Sequence, residues 1–114
     1  MPITEQEIRA TAERLKAYTA ATEDATRNEA AARQALADAR NTIMLRYADP
    51  KELGSNEAQR NAALAAKTEA ELEDVRRFEE QASSARAELA IVQIDWSMCQ
   101  KLVDLALATN GEVA

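Results

Sequence analysis

The 114 residues carry a net charge of −6, with 46% hydrophobic and only 4% aromatic residues, two glycines, two prolines and no histidine. A chain of this length supports one modest core, and a composition led by Ala, Glu, Arg and Leu excludes a sheet and points to long helices or coiled coils. The acidic balance argues against a dedicated duplex-DNA binder, and the missing histidine removes the usual serine and cysteine triads, imidazole metal ligands and the Glu-x-x-His sites of di-iron bundles.

The first helix is expected over about 5–48. Thr4-Glu5-Gln6-Glu7 reads as a capping box, in which Thr4 accepts from the Glu7 amide while Glu7 reaches back, with Ile3 and Ile8 as a flanking hydrophobic staple. A stripe follows in alternating steps of three and four: Ile8, Thr11, Leu15, Tyr18, Thr22, Ala25, Glu29, Ala32, Leu36, Ala39 and Ile43. Its middle is small or polar. Pro50 steers Asp49 away from the α region, which sets the helix end near Ala48.

Residues 49–55, Asp-Pro-Lys-Glu-Leu-Gly-Ser, are the one cluster of Pro, Gly and Ser and read as a tight reversal, with Gly54 in a conformation that disfavours a side chain. Asn56 with Gln59 gives a second capping signal, Ser55 being the alternative cap, so the second helix is expected over about 56–109. Its repeat is regular from Val75 onward: Val75, Ala82, Leu89, Trp96 and Val103 fall seven apart, and Phe78, Ala85, Val92, Cys99 and Ala106 follow three residues later. Before Val75 the pattern loosens to Leu64, Thr68 and Leu72, and Asn110-Gly111 reads as the stop.

Two long helices joined by a short turn imply an all-α, antiparallel two-helix hairpin, one domain spanning 1–114. A turn centred near Leu53 sets Ile43 by Ala62, Ile8 by Ser97, and Glu29 by Arg76, the last pair being a candidate register lock. The first helix brings few large apolar side chains to that seam. The second carries a further apolar row, Ile91, Ile94, Met98, Leu102 and Leu105, on a different face, which predicts a dimer assembled as a four-helix bundle with this row as the interface.

No enzyme chemistry is expected. The glycines stand alone at helix ends, so there is no phosphate loop, and adjacent carboxylates such as Glu23 with Asp24 or Glu79 with Glu80 diverge around a helix, leaving no catalytic, metal or cofactor site. Cys99 and Trp96 lie on the seam stripe, as a small apolar filler and an aromatic anchor. A single cysteine and no leader-like run suggest the cytoplasm, and Ile91 to Ala108, broken by Asp95, Lys101 and Asp104, is too polar to span a membrane. Arg33, Arg40, Arg46 and Arg60 form a modest basic strip that single-stranded nucleic acid would follow, weakened by Glu29, Asp38 and Asp49 and by the lack of an aromatic row. Six carboxylates against two arginines between Glu69 and Glu80 form an acidic counterpart.

The stretch Leu53-Gly54-Ser55-Asn56-Glu57-Ala58-Gln59-Arg60-Asn61-Ala62-Ala63-Leu64, followed by a charged helix through Leu89 to Leu105, resembles small coiled-coil accessory proteins of bacteriophages and prophages. That resemblance covers the second half of the chain. It implies a phage protein acting through contacts with other chains, as an adaptor or inhibitor, with an accessory role in DNA recombination as the alternative; it supplies no catalytic residue and does not identify the partner.

Overall fold

A computed structural model describes residues 3–47 and 49–113, with Pro50 and residues 110–113 described by their backbone alone. The elements are α1 (Glu5–Arg46), a 3-10 turn (Pro50–Glu52), α2 (Glu57–Lys67) and α3 (Glu69–Val113), and no strand occurs among the described residues. The chain divides into two compact units, one of residues up to Asp24 together with Ser83 onward, the other Ala25–Ala82.

In the first unit α1 begins on the expected capping box. The Thr4 amide donates to Glu7 Oε2 at 3.2 Å and the Glu7 amide donates to Thr4 Oγ1 at 3.1 Å, so two of the amides that a helix start leaves without partners are satisfied. Ile8, Thr11, Leu15, Tyr18 and Thr22 are half-buried along one side of α1. They meet α3, where Val92 is buried and Ala85, Leu89, Trp96, Cys99 and Val103 are half-buried. The cross-helix contacts fix an antiparallel sense: Thr22 Oγ1 lies 3.3 Å from the Ala85 carbonyl oxygen, Arg14 pairs with Asp95 at 3.5 Å, and the Cys99 thiol donates to Thr11 Oγ1 at 3.6 Å. Ala106, expected on the stripe, is exposed.

In the second unit the core is Ala32, Leu36 and Val75, with Leu72 and Phe78 packed against it. α1 ends at Arg46, where the Tyr47 amide turns to the Met44 carbonyl at 3.3 Å, and the expected end near Ala48 falls outside the described residues. Asp49 then organises the 3-10 turn, accepting from the Lys51 amide on its side chain and from the Glu52 amide on its carbonyl, both at 3.0 Å. Asn56, not Ser55, caps α2, its side chain accepting from the Gln59 amide at 2.8 Å, while the Gln59 side chain takes the Ser55 amide at 2.8 Å. Gly54 has no positive φ; what excludes a side chain there is space, because a Cβ would stand 2.6 Å from that of Gln59.

Three expectations are corrected. The second helix is not continuous over 56–109 but breaks at Thr68, whose φ of −117° and ψ of 25° leave the α region and whose amide is shared between the Leu64 and Ala65 carbonyls at 3.0 and 3.3 Å. Its hydroxyl bonds back to the Leu64 carbonyl at 2.7 Å, a competition that bends helices, and the side chain is fully buried. At the other end α3 runs through the expected stop at Asn110-Gly111 to Val113, since a glycine with ordinary φ weakens a last turn without reversing it. The register is also offset from a reversal centred on Leu53, which would oppose Thr22 to Ser83 and Arg33 to Leu72; Thr22 instead meets Ala85, and Arg33 meets Glu79. Non-helical residues 54–56 and the break at Thr68 both lie past Leu53 and carry the pairing later.

Candidate interaction surface on α3

At 100° per residue the seam positions Leu89, Val92, Trp96, Cys99 and Val103 share one side of α3, and Ile91, Ile94, Met98, Leu102 and Leu105 centre roughly 140° around the helix from them. Both sets belong to the first unit. The angular gap exceeds what one neighbouring helix covers, and the burial follows it: Ile91, Ile94, Met98, Leu102 and Leu105 are 41–64% exposed. Ala90, Gln93, Ser97 and Lys101 line a shallow groove with Ile94 and Met98, so the row has a polar margin on that flank. Five large aliphatic side chains, each with on the order of 100 Å² open, present roughly 500 Å², at the upper end of what monomers ordinarily leave uncovered.

The expected basic strip is placed differently. Arg33 pairs with Glu79 on α3 at 3.2 Å and with Glu29 at 3.6 Å, and Arg60 is half-buried with its guanidinium 3.5 Å from the Gly54 carbonyl oxygen. Arg40 and Arg46 are exposed. Two of the four guanidiniums thus serve contacts within the second unit. The register pair is likewise replaced: Glu29 meets Arg33 and Arg76 meets Glu73 at 3.1 Å, each on its own helix, as the register offset requires. The acidic stretch is relieved locally too, with Arg77 on Asp74 at 3.2 Å and over the Phe78 ring at 4.9 Å.

Sequence reasoning did not find a cavity of about 180 Å³ beside the reversal, lined by Met44, Tyr47, Leu53, Arg60, Asn61 and Leu64. Lys67 stands over its Tyr47 at 5.7 Å. The signal that would have located it is the return of Leu53 and Leu64 against the end of α1. Among the described residues no cluster of His, Cys, Asp or Glu is suited to a metal ion, and no helix is long and apolar enough to cross a membrane. Comparison with protein-family models, with curated proteins and with solved structures finds no match.

Proposed function

We propose that this chain is a non-enzymatic interaction module, a helical-hairpin adaptor or inhibitor of the cytoplasm, that self-associates through the α3 row and presents the resulting bundle to a further protein. One observation carries the reading: Ile91, Ile94, Met98, Leu102 and Leu105 lie open together on one face of a helix whose opposite face is already occupied. A second copy laid on the row would bury about 1,000 Å² over both chains from these side chains alone, where specific interfaces begin.

Ile94→Glu is the test, with light scattering on the full chain at tens of micromolar. Wild type is expected to be dimeric and the variant monomeric but still helical by circular dichroism, because an unpaired carboxylate in a desolvated contact costs on the order of several kcal/mol. A monomeric wild type, or a variant that stays dimeric, overturns the assignment of this surface.

A further inference from the structure

We infer that two copies meet antiparallel along the 83–109 stretch of α3, crossing between Ile94 and Met98, an arrangement that rests on the self-association reading. The heptads of α3 set the orientation. On α3, positions Arg77, Ser84, Ile91, Met98 and Leu105 recur in steps of seven, and so do Glu73, Glu80, Ala87, Ile94 and Lys101. Within the first unit these positions are apolar from Ala87 onward except at Lys101.

A parallel, in-register pair sets every seam residue against its own copy. Within the 83–109 stretch that opposes Lys101 to an identical charge, a repulsive layer inside the apolar row. The antiparallel crossing does not oppose Lys101 to itself. It sets Ile94 against Met98 of the second copy, twice by symmetry, Ala87 against Leu105, and Ile91 against Lys101, whose methylene stem covers an aliphatic neighbour while its ammonium reaches solvent. Small Ala87 opposite large Leu105 keeps the two axes level. The row's central members are the ones matched, and both are open, Ile94 at 61% and Met98 at 58%.

The experiment is electron–electron distance measurement on the full chain with Cys99→Ser and one spin label, placed either at Ser97→Cys or at Ser83→Cys, both exposed and on the same flank of the seam. At 1.5 Å rise per residue, the antiparallel crossing gives about 20 Å at position 97 and about 40 Å at position 83. Similar short distances at both positions mean a parallel pair and overturn the inference while leaving self-association standing. Absence of dipolar coupling at both, with monomeric scattering, removes the self-association reading and the arrangement with it.

Discussion

The Thr22 hydroxyl sits between two carbonyl oxygens, 2.8 Å from that of Tyr18 on its own helix and 3.3 Å from that of Ala85 on the facing one. A side-chain atom of α1 touching the backbone of α3 requires close axes, and small residues on both sides, Thr22 and Ala85, permit it. The polar middle of the α1 stripe is therefore a close-approach contact.

Changing either partner should be costly. Ala85→Leu is expected to lose about 1–3 kcal/mol of stability through overpacking, and Thr22→Val about 1 kcal/mol through the lost bond, measured by urea denaturation. Equal, negligible effects for both would mean the helices do not approach closely at this point.

Leu36 is the largest of the buried side chains in the second unit, packed against Ala32, Val75, Leu72 and Phe78. Leu36→Ala should cost about 2–4 kcal/mol, whereas Leu45→Ala, at a position 86% exposed, should change stability by less than about 0.5 kcal/mol. Comparable losses in the two variants would contradict the placement of the core.

At Gly54 even one methyl group meets the first turn of α2, with Gln59 Cβ at 2.6 Å and the Arg60 amide nitrogen at 2.9 Å. Gly54→Ala should destabilise by about 1–3 kcal/mol, and Gly54→Val should in addition open the reversal toward exchanged dimers, seen as a second peak in size-exclusion chromatography. Wild-type midpoints in the alanine variant would show that the turn relaxes freely.

Thr68→Ala removes the hydroxyl that competes for the Leu64 carbonyl and installs the best helix former at the break. Carbon chemical shifts across residues 66–70 should move to helical values, with α2 and α3 joining into one helix. A break that persists in the variant would assign it to packing around the buried side chain instead of to the hydroxyl.

The stripe on α1 was legible because a soluble helix with one neighbour must alternate its buried positions by three and four, and each of its residues from Ile8 to Ile43 is at least half-buried. The Thr4–Glu7 and Asn56–Gln59 caps were legible for a similar reason, being local chemistry. The break at Thr68 was not. A threonine is compatible with a helix interior, and only the looser repeat ahead of Val75 hinted that the phase changes there. Register was illegible to within a few residues because it depends on how much non-helical chain the reversal consumes, which Asp49 and Gly54 set through contacts no periodicity encodes. The exposed row on α3 could be read as a second face, since seven-residue arithmetic separates it from Val92 and Trp96.

Among the described residues the buried apolar side chains are few and mostly small: Ala32, Leu36, Val75, Ala82 and Val92. Unfolding such a chain newly wets little hydrocarbon, and the heat-capacity increment scales with that wetting. Calorimetry on a monomeric variant should give an increment below the about 12–15 cal/mol/K per residue of ordinary domains. Its stability would then curve weakly with temperature, leaving cooling nearly harmless.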